Sequence, residues 1–252
     1  MYERMVQSLI ESQPSHRLAY GGDSRPGTTG RPNQDCMRIV DPEAPLSEEK
    51  GLLFIVADGL GGYGNGEVAS RMVCEELPRL YYECPGEDCR ANLLHAVMQM
   101  NAILYKASSA KGELHGMCTT LVAAVVRGDT LYVVHVGDSK AYLFRRGRVA
   151  YASTDHCIQI PTFESDGKRF LTQSLGARRS IAPSDDEIRL THGDIIVLCT
   201  DGLSDSLLLE DIIAGSMADE PPAAVADLVQ AANEAGGTDD ISVILAKVTM
   251  RC

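Results

Sequence analysis

Residues 119–153, TTLVAAVVRGDTLYVVHVGDSKAYLFRRGRVAYAS, decide the fold. Apolar, β-branched runs cover Thr119 to Val126, Thr130 to Val136, Lys140 to Phe144 and Val149 to Ser153. Each is strand length, and turn residues bound each one. Gly128-Asp129 and Arg146-Gly147 are two-residue hairpin turns, so the neighbouring strands pair antiparallel.

Outward from this block, the same grammar continues. Met37 to Val40, Leu52 to Ala57, Asp194 to Thr200 and Ile241 to Val248 are further extended runs. Residues 1–20 read as a short helix or arm leading into a strand. Helical spacing marks Glu67 to Leu80, with Pro78 weakening its last turn, and Ala91 to Ser108. Leu207 to Ala214 and Ala223 to Ala235 are also helical. A sheet this large needs both faces covered. The economical arrangement is an α+β fold, two stacked antiparallel sheets with helices outside, forming four α-β-β-α layers.

Three of the apolar runs abut an aspartate at a turn: Asp58 before Gly59, Asp201 before Gly202, and Asp239-Asp240 just ahead of Ile241. A single Asp-Gly is usually only a turn. Three carboxylates delivered to strand ends repel one another unless a hard cation neutralises them. Oxygen-only ligands select magnesium, manganese or calcium over zinc. Adjacent side chains on a strand point to opposite faces, so only one of Asp239 and Asp240 is expected to ligate. Gly59 and Gly61 let backbone approach an ion closely.

The 252 residues suit a single domain spanning 1–252, with residues 1–15 as an N-terminal arm. Hydrophobic residues make up 44%, enough for a full core. There is no Trp, so branched aliphatics and Met fill the interior. A net charge of −12 argues against nucleic acid or an anionic membrane as partner. The eight cysteines contain no Cys-x-x-Cys pair, which leaves a zinc ribbon or thioredoxin motif unsupported. Cys118 and Cys199 sit in apolar runs and read as small hydrophobes. Cys84 and Cys89 flank Pro85-Gly86 and are expected to be free thiols. Without a signal-peptide pattern or a membrane-length apolar run, the expected location is a reducing cytoplasm.

Eight segments then occur in one order. They are Asn33-Gln34-Asp35, Val56 to Gly62, Cys118 to Ala124, Val136 to Leu143, Thr154-Asp155-His156, Leu171 to Gly176, Thr200 to Asp205, and Gly237 to Ile241. Together they resemble the metal-dependent type 2C Ser/Thr protein phosphatases, compact bacterial members especially, over roughly residues 20–248. The resemblance implies an α-β-β-α sandwich with two Mn2+ or Mg2+ ions at one end and a weaker third. It implies catalytic roles for Asp35, Asp58, Asp201 and Asp239. Asp58 would bridge both ions, the Gly59 carbonyl would hold the first, and Asp201 and Asp239 the second. Asp138 would serve the third ion with Asp201. Asp35 and Gln34 would hold ion-bound waters, and Asp240 would support from behind. Two ions about 3.5–4 Å apart can acidify a shared water for in-line attack on phosphorus. The implied partners are a phosphorylated protein and a cognate Ser/Thr kinase, with the phosphatase a monomer.

The chain departs from the pattern in four places. Leu60 stands where eukaryotic members carry a His proposed as general acid. The phosphate-gripping Arg is displaced by one residue, from the Gly30 slot to Arg31. Gln34 replaces the commoner Glu. The segment Cys157 to Arg169 is short where a longer helical flap is usual, which suggests an open site. His156 reads as a hydrogen-bonded structural residue rather than an acid or base. A binding module without turnover is the competing reading, but degenerate members usually lose the metal aspartates, and Asp58, Asp201 and Asp239 all remain.

Overall fold

The computed structural model describes residues 16–43, 45–60, 65–110, 116–162 and 165–250. The suggested N-terminal arm and Gly61 lie outside them. Strands β1 (His16–Arg25), β2 (Asp35–Val40) and β3 (Leu52–Asp58) come first, with the short helix α1 (Leu46–Lys50) between the last two. Helices α2 (Gly66–Tyr82) and α3 (Cys89–Ala110) follow, then strands β4 (Leu121–Arg127), β5 (Thr130–Val136), β6 (Lys140–Arg145) and β7 (Arg148–Ala152). Next are β8 (Cys157–Thr162), β9 (Ser165–Leu171), β10 (Ser184–Arg189) and β11 (Ile195–Cys199). The chain continues through α4 (Asp201–Ser204), α5 (Leu209–Ser216), α6 (Pro221–Glu234) and β12 (Ile241–Met250).

One five-stranded sheet runs β1-β12-β11-β6-β7 and the other β10-β5-β4-β3-β2, every pair antiparallel. Strand β3 shows why the apolar runs are continuous rather than alternating. Leu53, Ile55 and Ala57 pack outward on α2 and α3. Phe54 and Val56 pack inward against Leu143, Ile196, Leu198 and Ile244. Both faces are buried, so both must be apolar. The other sheet repeats the pattern, with Val197, Val243 and Leu245 turned toward Leu228 and Val225 of α6. This is the expected four-layer α+β sandwich.

Pro78 lies inside α2 and does not end it. Proline has no N–H, so it leaves the Cys74 carbonyl without its helical donor. Arg38 of β2 fills the gap, donating from Nη1 to that oxygen at 3.1 Å.

Three features were not expected from sequence. Strands β8 and β9 pair as an antiparallel ribbon in the segment where the sequence suggested only a shortened flap. Strand β10 extends the second sheet, although its residues Ser184-Asp185-Asp186-Glu187 are too polar to suggest a strand. Asp239 and Asp240 precede β12, so strand alternation does not separate them.

Opposite the site end, the turn between β10 and β11 holds Asp194, which is fully buried. Arg145 grips it twice, Nε to Oδ1 at 2.8 Å and Nη2 to Oδ2 at 2.7 Å. The Thr191 N–H and hydroxyl complete the shell at 2.8 and 3.1 Å. Burial pushes this carboxyl up, but the Arg145 and Thr191 bonds outweigh it and hold it below the ordinary range. Removing the guanidinium strands a buried charge. Arg145→Ala is therefore expected to lower the unfolding free energy by roughly 2–3 kcal/mol, read by urea denaturation. A depressed carboxyl stabilises above its unfolded pKa and loses that stability as pH falls. The difference between wild type and Arg145→Ala should accordingly shrink toward pH 3.

Candidate metal centre

The site is built at one end of the stacked sheets, where β2, β3, β11 and β12 finish or begin. Pairing of β2 with β3 sets Asp35 directly opposite Asp58. Two like charges facing across antiparallel strands are destabilising. Asp201 enters at the first turn of α4, directly after β11. Asp239 and Asp240 arrive from the turn before β12. Asp138 sits in the turn between β5 and β6 and is 8% exposed.

Hydroxyls and backbone amides hold these carboxylates in place. The Asp58 N–H donates to Thr120 Oγ1 at 3.0 Å, and the Asp58 carbonyl accepts from Thr120 N (2.8 Å) and Thr119 Oγ1 (2.7 Å). Thr120 is braced in turn by Ser139 at 2.6 Å. Thr200 donates to Asp35 Oδ2 at 2.8 Å and itself accepts from the Ser242 N–H at 2.9 Å. Asp240 accepts from the amides of Gly27 (2.9 Å) and Gln34 (2.7 Å), which anchors the 26–34 loop to the opposite sheet. Asp239 has a different setting: it is exposed, and it accepts only from the Asp240 N–H at 2.9 Å among the bonds of the described residues.

Backbone packing around the site is too tight for side chains. A Cβ on Gly59 would lie 2.3 Å from the Gly66 backbone and 2.6 Å from the Gln34 carbonyl oxygen. A Cβ on Gly202 would lie 2.0 Å from the Asp240 carbonyl oxygen. These contacts press separate backbone segments together beside the cluster.

Electrostatics point the same way. Burial first, then Asp240 and Asp201, push Asp35 up to about 8 despite the bonds from Thr200 and Ser242. Burial, then Asp35, Asp201, Asp239 and Asp138, raise Asp58 well above the carboxylate range. Burial, then Asp138, Asp239 and Asp205, raise Asp201 to about 7. Asp201 Oδ1 is buried with no hydrogen-bond partner. Unlike Asp194, this cluster has no arginine gripping its centre among the described residues. An all-oxygen donor set, an orphaned carboxylate oxygen and mutual repulsion together fit a divalent cation. Among the described residues, no three acidic, His or Cys side chains close into a ready-made cage. An ion here would draw on backbone carbonyls and water as well, as magnesium-type ions do.

Among the described residues, cations stand at the rim. Arg31 is exposed at the 26–34 loop and has no ion-pair partner among the described residues. Arg25 pairs with Asp23, and Lys140 with Asp155. Sequence reasoning missed Arg169. From β9 its guanidinium reaches Asp138 (3.1 Å), Asp155 (3.2 Å) and Asp205 (3.4 Å). Its only sequence signal was being basic within an otherwise mixed hairpin. His156 is structural: its Nδ1 accepts from the Gly137 N–H at 3.3 Å, its Nε2 meets Ser184 at 2.9 Å, and it stacks on His135. Leu60 is partly exposed, and its N–H donates to the Cys118 carbonyl at 3.0 Å.

Residues 25–245 match protein phosphatase 2C, and the chain belongs to that family. It is 32% identical over 207 residues to the serine/threonine protein phosphatase PstP of Mycobacterium tuberculosis. That match covers 78% of this chain and 40% of the mycobacterial protein, so the chain spans well under half the length of that relative. It is 27% identical to the serine/threonine phosphatase stp of Listeria welshimeri, covering 77% of this chain and 83% of that protein. The solved catalytic domain of PstP, in complex with two manganese ions, superposes with a TM-score of 0.77 at 30% identity. The superposition covers 92% of this chain and 98% of that one.

The carboxylate shifts make a prediction that needs no turnover. A raised carboxyl stabilises the fold below its unfolded pKa, near 4, and loses that stability as pH rises through its folded value. With chelator present, the melting temperature should therefore fall between pH 5 and pH 8, and fall less in Asp201→Asn. Manganese should raise the wild-type melting temperature most at pH 8. No manganese effect there would show that the cluster does not hold the ion.

Proposed function

We propose that this chain is a metal-dependent phosphatase domain that removes phosphate from phosphoserine and phosphothreonine in proteins, opposing a Ser/Thr kinase. The observation that carries the reading is the buried, cation-poor carboxylate cluster around Asp58, in a chain of this family. In the reading, Asp58, the Gly59 carbonyl, Asp201 with its orphaned oxygen and the exposed Asp239 would hold two manganese or magnesium ions, and Asp138 with Asp201 would hold a weaker third. When bound, the ions supply a water acidic enough to attack phosphorus near neutral pH.

The chain's own residues do the positioning. Thr119 and Thr120 hold the Asp58 backbone so that its carboxylate cannot drift. Thr200 orients Asp35, which holds water beside the site. Asp240 takes a supporting part, tying down the loop that carries Arg31 and Gln34 through the amides of Gly27 and Gln34. Arg31, unpaired at that loop, is the group assigned to the substrate's phosphate. With Leu60 where eukaryotic members carry a His, this chain has no proton donor at that position for the leaving alkoxide.

Phosphate release from a phosphothreonine peptide should require manganese or magnesium and stop with chelator. Full turnover in chelator after dialysis would defeat the reading. Asp58→Ala should cost at least about a thousandfold in turnover, on the order of 4 kcal/mol of barrier. Asp239→Ala should be similarly severe. If Asp240→Ala is the crippling change and Asp239→Ala mild, the assignment in that turn is reversed.

Phosphate contact common to ground and transition states appears mainly in KM. Arg31→Ala is thus expected to raise KM severalfold with a smaller effect on kcat. If neither constant moves, Arg31 is not in contact with phosphate.

A further inference from the structure

The second sheet runs on past its strands at the site end. Gly59 bridges antiparallel to Thr119, and Thr119 antiparallel to Leu175. The Thr119 N–H donates to the Leu175 carbonyl at 3.1 Å, and the Leu175 N–H to the Thr119 carbonyl at 2.8 Å. The row across the site end is therefore Asp35, Asp58-Gly59, Thr119, Leu175. The loop carrying Arg31 enters this row at the Asp35 end. At the other end the chain leaves Leu175 in the same direction as it leaves Gly59, out of the sheet, into Gly176-Ala177-Arg178-Arg179.

The backbone of this turn is fixed from several sides. Asn101, on α3 and 2% exposed, directs its amide to it. Its Oδ1 accepts from the Gly176 N–H at 2.9 Å, and its Nδ2 donates to the carbonyls of Arg178 (3.1 Å) and Arg179 (3.4 Å). Gly176 has a φ of +83°, and a Cβ there would lie 2.2 Å from the Met117 carbonyl oxygen. Past the arginines, Ile181 packs on the outer core, and the Ala182 N–H donates to Gln173 Oε1 at 2.7 Å, closing the neck. Arg178 and Arg179 themselves are exposed and have no ion pair among the described residues. The chain has 35 acidic residues against 23 Lys and Arg, so partners are plentiful. Arg25, Arg79, Arg90, Arg145 and Arg169 each pair with an acid. Two adjacent unpaired guanidiniums on a fixed backbone repel each other and add nothing to the fold. They suit a ligand that brings its own negative charge.

We propose that Arg178 and Arg179 dock acidic residues of the phosphoprotein substrate, across the metal centre from Arg31. The proposal rests on the phosphatase reading and adds the sequence class its substrate carries: Asp or Glu near the phosphorylated Ser or Thr. The guanidinium fork matches a carboxylate through paired hydrogen bonds. Leu175 stands two strand spacings, about 10 Å, from Gly59, and an extended peptide advances about 3.3 Å per residue. The acidic residues therefore fall about three to five positions from the phosphoresidue. Contact made that far from the reacting atoms is common to ground and transition states, so it appears in KM rather than kcat.

The test uses the manganese-loaded full chain and three substrates. One is p-nitrophenyl phosphate, one a phosphothreonine peptide with Asp at the third to fifth positions on both sides, and one the same peptide with Asn there. Wild type should show a KM about fivefold to tenfold lower for the Asp peptide than for the Asn peptide. The double variant Arg178→Ala, Arg179→Ala should lose that preference and keep its kinetics on the Asn peptide and on p-nitrophenyl phosphate, which also shows that it folds. Arg178→Glu with Arg179→Glu should invert the preference. Equal KM for the two peptides in wild type, or an equal loss on all three substrates in the double variant, would overturn the docking site. Binding of unphosphorylated, fluorescein-labelled copies of both peptides, read by anisotropy, needs no turnover. The Asp copy should bind more tightly to wild type, and the two should bind alike to the double variant. Equal binding to wild type would overturn the docking site. Tighter binding of the Asp copy, with neither phosphopeptide hydrolysed, would defeat the phosphatase reading and leave the docking site standing.

Discussion

Mutual repulsion among buried carboxylates is the constraint on which this structure turns. Asp35 and Asp58 face each other across paired strands, and Asp201, Asp239 and Asp138 add to the same field. A protein does not gather such groups for stability. Elsewhere in the same chain, Asp194 is just as deep and is met by two arginine nitrogens and a threonine. The contrast lies in the missing partner. At Asp194 the counter-charge is covalently part of the fold; at Asp58 no arginine or lysine takes that place among the described residues.

The rest of the architecture serves to keep that repulsion from pulling the site apart. Two apolar layers lock the strands, since β3 buries both faces. Threonine and serine hydroxyls then fix the backbone around each carboxylate without adding charge. Glycines let separate segments touch backbone to backbone, so a carbonyl can join the ligand field. The same tightness couples the cluster to small movements of β2 and α2.

Around the rim, positive charge is distributed rather than concentrated. Arg169 is shared among three carboxylates and ties the β8–β9 ribbon to the turn carrying Asp138. Lys140 is held by Asp155. Arg31 is left on a loop whose position depends on Asp240.

Much of this was legible in the chain alone. Continuous apolar runs of strand length announced strands buried on both faces. Hairpin turns at Gly128-Asp129 and Arg146-Gly147 set their direction, and aspartates at three strand ends announced carboxylates gathered at one end of the sheets. These are local signals, carried by residues within one turn or one strand of each other. What the tertiary structure alone decided is long-range. Asp35 meets Asp58 through strand register. Asp240, not Asp239, receives the amides of Gly27 and Gln34, more than 200 residues away. Arg169 reaches Asp138 because an unforeseen ribbon folds back, its mixed polar sequence giving no strand pattern. Arg38 finds the Cys74 carbonyl across a strand–helix interface. Periodicity reports which face of an element is buried. It carries no information about which distant loop or helix will supply the neighbour, because that is settled only when the sheets stack and the hydrogen-bond donors at their ends choose partners.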